Sequence, residues 1–258
     1  MHVFLKWVMP GRIVMNDQTV GFVLKEVPYQ EKAVIVSLLT KEGKISFIAK
    51  GIRNINSKNA AALQLFTKVE VEYDHREGKE LQVLKRAKPL CFYRHVYSDL
   101  QISSMASVLV DIVDRLVVLN EDTSNLYILI EKSFDLWESN EKANMIFVLS
   151  LSTLLQEFGF EPNMDACVHC GKQEVVSFSS KEGGFLCADH AQELRNPMMK
   201  VNQLKTLRMA FKARLEHYDL LKNKIDFGHQ EIHFALDLFR QHAGLSLKSF
   251  DFYEHLFM

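Results

Sequence analysis

The 258-residue chain contains four cysteines, and three of them fall within 21 positions of one another. They stand in Cys167-Val168-His169-Cys170 and, after sixteen intervening residues, in Cys187-Ala188-Asp189-His190. A C-x-x-C or C-x-x-H knuckle turns two donor atoms toward one point, and two knuckles complete the tetrahedron that zinc prefers. The spacing therefore predicts one zinc ion held by Cys167, Cys170, Cys187 and His190. Four protein ligands leave no position for water, so the predicted ion is structural. The competing reading is a set of buried free thiols beside a chance histidine. His169 could stand in for a lost ligand, but its place inside the knuckle makes it the weaker donor. Gly171 and the Gly183-Gly184 pair supply the backbone freedom that a knuckle and a connecting hairpin need.

A catalytic zinc is the other chemistry to weigh. Nucleic-acid deaminases combine H-x-E with P-C-x-x-C, and His75-Arg76-Glu77 precedes the Cys167/Cys170 pair here. The match fails on context. His75 falls in a hairpin-like turn about ninety residues from the cysteines, Ala166 stands where the proline belongs, and the second knuckle already fills the metal shell. Ser37, Ser57 and the ten histidines form no nucleophile arrangement, and there is no glycine-rich phosphate loop. The chain is not expected to be an enzyme.

The second chemistry is charge. From Lys41 to Lys58 the chain carries five basic residues, Lys41, Lys44, Lys50, Arg53 and Lys58, and one acid. Cations on a curved sheet edge and its loop follow a phosphate backbone, and Ser57 with loop amides adds neutral contacts. The bland alternative is a solvated loop. Phe47 and Tyr29 would stack bases if they faced the groove, although alternation puts Phe47 in the core. Lys85-Arg86-Ala87-Lys88 is a second basic cluster, either an extension of the same groove or a solvated linker.

These residues need elements to position them. Gly21–Lys25, Ala33–Leu39, Lys44–Lys50, Lys68–Tyr73 and Glu80–Lys85 read as short strands, punctuated by turn signals at Val27–Gln30, Lys41–Gly43 and Asp74–Gly78. Five strands in so short a stretch suggest a small closed barrel, most naturally an OB-fold, with an SH3-like barrel fitting the count almost as well. Beyond Tyr97 the apolar period becomes helical, over Ser98–Leu119, Asn125–Glu138, Lys142–Phe158, Asn202–Tyr218 and His229–His242. The expected architecture is α+β and multidomain. Residues 1–84 form the OB-fold, with 1–14 an extension or misassigned start, and 85–258 form an all-α domain with a zinc-binding insertion at about 163–195. Pro89 marks the expected break.

Composition divides the same way. Net charge is −1, yet residues 1–90 hold 15 Lys and Arg against 9 Asp and Glu, and the remainder carries an acidic surplus of seven. The longest apolar run, Met145–Leu155, is too short to span a bilayer, so a soluble, cytoplasmic protein without membrane contact is expected. Two apolar stripes, Met105/Leu109/Ile112/Val113/Leu116 and Ala235/Leu238/Phe239, are core more often than partner grooves; an open pocket between them, rimmed by cations, would accept an acidic peptide tail.

Taken in order, these features resemble the RecO family of bacterial recombination mediators. The likeness runs from Gly21–Lys25 through Pro28–Glu31 and Ser37–Lys44. It is densest at Ile48–Arg53 with Ser57-Lys58, and it resumes at Phe158–Pro162, the knuckles, Phe178-Ser179, Gly183–Cys187 and Leu238–Arg240. It implies an N-terminal OB-fold, a helical C-terminal domain and an inserted zinc element. It also implies binding of single- and double-stranded DNA, annealing of complementary strands, and work with RecR to load RecA onto strands coated by single-strand binding protein, whose acidic C-terminal tail is a further partner. His190 stands where many relatives have cysteine, which zinc tolerates. The rival from another class is an OB-fold and zinc adaptor that binds proteins without touching DNA.

Overall fold

The computed structural model describes residues 16–31, 33–52, 57, 59–76, 78–117, 122–139 and 141–258. The expected extension at 1–14 lies outside them. The chain divides into two compact units, one ending at Cys91 and the other running from Phe92, with Lys41–Gly43 grouped with the second.

The first unit is a closed five-stranded barrel. Its strands are β1 (Asn16–Tyr29), β2 (Ala33–Leu39), β3 (Lys44–Lys50), β4 (Thr67–Asp74) and β5 (Leu81–Phe92), in spatial order β1-β2-β3-β5-β4 with β4 back against β1. The β3–β5 pairing is parallel, whereas β1–β2, β2–β3 and β1–β4 are antiparallel. That crossover gives the barrel the OB-type connectivity and removes the SH3-like alternative, which strand counting left open. Strict alternation drives closure: along β4, Thr67, Val69, Val71 and Tyr73 face the core while the intervening charged residues face out. Phe47 is fully buried and meets Tyr73 edge-on at 5.0 Å between ring centroids. Burying such a ring contributes about 1.5–3 kcal/mol, and it takes Phe47 out of any base-stacking role.

Two strands run beyond their predicted ends, each for a tertiary reason. The first half of β1 pairs with β4, from Asn16↔Asp74 to Phe22↔Lys68, and the second half pairs with β2 as far as Tyr29↔Ala33, with a register shift between Val23 and Lys25. Gly21 lies just before that shift, where a Cβ would come within 2.7 Å of the Leu39 carbonyl oxygen. Val27 and Pro28 belong to the strand, and the turn falls at Gln30, whose φ is 56°. Strand β5 continues through Pro89 to Phe92, so the units part at Cys91/Phe92 and not after Leu84. Proline interrupts a strand only where the ladder needs its N–H.

In the second unit the described helices are α1 (Arg94–Ser98), α2 (Leu100–Leu116), α3 (Ser124–Glu138), α4 (Ala143–Glu157), α5 (Ala188–Glu193), α6 (Val201–Lys212), α7 (Tyr218–Leu221), α8 (His229–His242) and α9 (Lys248–Phe257). A two-stranded sheet, β6 (Ser177–Ser179) with β7 (Gly184–Leu186), sits between α4 and α5. The Met145–Leu155 run is the heart of α4. It is buried on nearly every side because α2, α3, α6 and α8 all pack on it. Both apolar stripes are core: Met105, Leu109, Ile112, Ala235, Leu238 and Phe239 are fully buried. Asp99 caps α2 by accepting from the Ile102 N–H at 3.0 Å. The predicted Asn202–Tyr218 helix ends at Lys212, and the chain resumes with a 3-10 turn at Leu215–His217 that leads into α7 at Tyr218. No described helix is long and apolar enough to cross a membrane.

Candidate metal centre and nucleic-acid interface

The two knuckles meet. One donor atom from each of Cys167, Cys170, Cys187 and His190 lies within 4.8 Å of every other. The first knuckle is closed by the Gly171 N–H donating to the Cys167 carbonyl at 2.9 Å, with Gly171 at φ 72°, and by the Cys167 N–H donating to the Lys172 carbonyl at 2.8 Å. In the second, Cys187 precedes α5 and His190 rides on its first turn.

The distances test the fit. Zinc–sulfur bonds of about 2.3 Å and zinc–nitrogen bonds of about 2.0–2.1 Å in a tetrahedron require ligand edges of about 3.8 Å between sulfurs and about 3.5 Å between sulfur and nitrogen. The structure has Cys170 Sγ to Cys187 Sγ at 3.7 Å, and His190 Nδ1 at 3.5 Å from Cys167 Sγ and 3.3 Å from Cys187 Sγ. The donors thus fit a tetrahedral ion, with Nδ1 as the histidine ligand. His169 turns away to Glu182, Nε2 to carboxylate 3.1 Å, and stacks on the His190 ring at 4.9 Å between centroids.

Electrostatics favour the same occupant. Burial pushes the Cys167 thiol up, but the N–H groups of Cys187, Cys170 and His169 directed at its sulfur prevail and bring it to about 6. The His190 backbone N–H lowers the Cys187 thiol. At Cys170 the Lys172 N–H acts downward, yet burial and the two neighbouring sulfurs outweigh it and leave the thiol raised. Three crowded sulfurs, two of them biased toward thiolate, are a site short of positive charge.

The element around the site is small, and one of its rings, Phe178, touches both α6 and α8. Phe178 packs face to face with Phe211 of α6 at 5.7 Å and edge-on with Phe234 of α8 at 4.9 Å. The hairpin passes so close to Asn163 that a Cβ on Gly184, whose φ is 156°, would collide with the Asn163 carbonyl oxygen and approach Val168 Cγ1 to 2.8 Å. The sequence shows two adjacent glycines; the need for the second is a contact across twenty residues of chain. Gly184→Ala is expected to destabilise the element by on the order of 2–3 kcal/mol. Metal content after gel filtration should fall from one zinc per chain to well below one.

The basic candidates are gathered only in part. Ile48 of β3 pairs with Val83 of β5, so Lys50 and Lys85 each lie two residues further along neighbouring strands. Asn59 clamps the returning loop to the same place, donating to the Lys85 carbonyl at 3.4 Å and accepting from the Ala87 N–H at 3.0 Å. Lys50, Lys85 and Arg86 are exposed at this edge, and Lys85 pairs with the Asp74 carboxylate. Lys44 is half-buried at the other end of β3. Lys41 groups with the helical unit, its ammonium 5.5 Å from the Tyr127 ring centroid. Arg53 and Lys58 lie outside the described residues. Ser37 is buried and bonded to Ser46 at 2.9 Å. His75 belongs to the barrel unit, 3.5 Å from Asp17, whereas Cys167, Cys170 and Cys187 belong to the other.

Comparison with known proteins agrees with this architecture. Residues 15–93 match the family model "Recombination protein O N terminal" and residues 97–233 match "Recombination protein O C terminal". The chain belongs to the RecO family. A "DNA repair protein RecO" of Caldanaerobacter subterraneus subsp. tengcongensis is 26% identical over 239 residues, covering 91% of this chain and 96% of its own. One from Bacillus cereus is 25% identical and covers 94% and 98%. One from Symbiobacterium thermophilum is 31% identical over 67% of this chain and 70% of its own. Among solved structures, Entamoeba histolytica asparaginyl-tRNA synthetase aligns at a TM-score of 0.29 with 11% identity, over 48% of this chain and 31% of that one. The gap between the two RecO segments falls just past the point where the two units part.

Proposed function

We propose that this RecO-family chain is a non-enzymatic mediator of DNA repair and recombination. It binds single- and double-stranded DNA through the barrel, anneals complementary strands and, with RecR, loads RecA onto strands coated by single-strand binding protein, whose acidic tail it also engages. The observation that carries this reading is an OB-type barrel with Lys50, Lys85 and Arg86 exposed at one edge, in a chain whose relatives are named for DNA repair. Annealing needs no bond chemistry: cations that neutralise two strands lower their mutual repulsion. The zinc ion is structural, and the protein works in the cytoplasm at the nucleoid.

The protein-only adaptor has one observation on its side. Lys85 already has a carboxylate partner and Lys41 stands over a tyrosine ring, so part of the basic run serves the fold. Mixing two complementary labelled strands separates the readings. The mediator raises the annealing rate at low salt and loses the effect as salt rises. The adaptor leaves the rate at its protein-free value.

A further inference from the structure

The helical part of the chain is acidic overall, with one exception. From Arg195 to Arg214 there are six cations, Arg195, Lys200, Lys205, Arg208, Lys212 and Arg214, and no carboxylate. This stretch contains all of α6, and the helix sorts it. Leu204, Leu207, Ala210 and Phe211 face the core, whereas Lys205, Arg208 and Lys212 are exposed. Their spacing of three and four places them on one face, in a row about 10 Å long at about 1.5 Å per residue. Lys200 is exposed where the helix begins. Arg214 is tied to Gln156 and Glu157 and does not join the row.

A solvated helix face ordinarily alternates signs, because like charges three or four apart destabilise the helix that carries them. Among the described residues, the carboxylate that meets Arg208 and Lys212 comes from outside the helix. Asp165 reaches Arg208 at 2.6 Å and Lys212 at 2.5 Å. It is itself held by Asn163, whose side-chain oxygen accepts from the Asp165 N–H at 3.0 Å. Asp165 is 58% exposed and its partners are about half exposed. Such pairs are weak and are screened by salt, so a polyanion can displace the carboxylate. Asp165 engages Arg208 and Lys212, while Lys200 and Lys205 are exposed on the same stretch, so the cations outnumber the carboxylate that is shown to meet them.

We infer that the exposed face of α6, formed by Lys205, Arg208 and Lys212 with Lys200 at its entrance, is a second contact for a DNA phosphate backbone, with Asp165 as a weak internal competitor. The inference rests on the DNA-binding reading above. A line of charges suits a strand whose phosphates repeat along its length, and it reads no sequence. Asp165 stands two residues before Cys167, so folding of the metal-bound element brings the competitor to the helix.

Fluorescence anisotropy of a labelled oligo-dT strand, titrated with the full-length zinc-loaded protein across a salt series, tests this. K205Q/R208Q/K212Q should bind on the order of tenfold more weakly and lose about 2 from the slope of log affinity against log salt, at about 0.7 per contact on single strands. Asp165→Asn should bind severalfold more tightly with a steeper slope, a gain that a misfolded variant cannot imitate. A triple variant with unchanged affinity and slope overturns the inference while barrel binding stands. Unchanged DNA binding with lost binding of an acidic peptide assigns the face to a protein partner and overturns it equally. Wild-type protein with no DNA affinity at any salt removes the reading beneath it as well.

Discussion

Chelation of the metal, or Cys167→Ser, is expected to unfold the segment from Asn163 to Met199 while the barrel stays closed. The element cannot hold itself together. Its own core is Cys167, Leu186, Cys187 and Ala191, and its regular structure is two three-residue strands and one six-residue helix. A hairpin of that size is not stable in water alone. Structural zinc sites contribute apparent binding free energies on the order of 10–16 kcal/mol in small peptides, and that energy appears as folding energy. Hydrogen exchange should therefore show the amides of Gly171, Val168 and Phe185 losing protection on metal removal, with those of β4 unchanged. The loss should reach α6 and α8, which meet the element through Phe178. Retained protection at Val168 and Phe185 in metal-free protein would show that the knuckles fold without an ion.

Neutralising the barrel edge should produce the second large change. Lys50→Gln, Lys85→Gln and Arg86→Gln together should weaken single-strand binding on the order of tenfold to a hundredfold near 0.1 M salt and lower the salt slope by about 2. The three single variants should differ. Lys85 already has Asp74 as a partner, so its removal costs less than that of Lys50 or Arg86. Adding Arg53→Gln and Lys58→Gln should deepen the loss, since both stand in the same basic run. Because phosphate contacts carry no sequence information, all strands should weaken alike. A salt titration that superimposes on the wild-type curve would sink the assignment of these cations.

The parts of the protein legible in its residues are those whose geometry is local. Each knuckle is set by a two-residue spacing, so Cys167, Cys170, Cys187 and His190 could be named without knowing the fold. Helix α8 was bounded at His229 and His242 because its period and ends lie within fourteen residues. Strands β2 and β3 were likewise delimited at both ends, where a turn punctuates a plain alternation. The overruns of β1 and β5 were not legible, because a strand's length depends on which neighbours accept it. β1 outlasts its pattern by passing from β4 to β2.

Non-local pairing decided the rest. Strand composition predicts a barrel, but only the parallel β3–β5 register makes it OB-type and pairs the strand that carries Lys50 with the strand that carries Lys85 and Arg86, while Lys41 falls to the helical unit. The cations of α6 are plain in the sequence. That three of them share one exposed face, and that a carboxylate from the element carrying the knuckles reaches two of them, is not. Donor type and near spacing are written in a few consecutive residues. Which donors meet, and which charges stay free, depends on contacts between segments tens of residues apart, and those arise from packing the whole core at once.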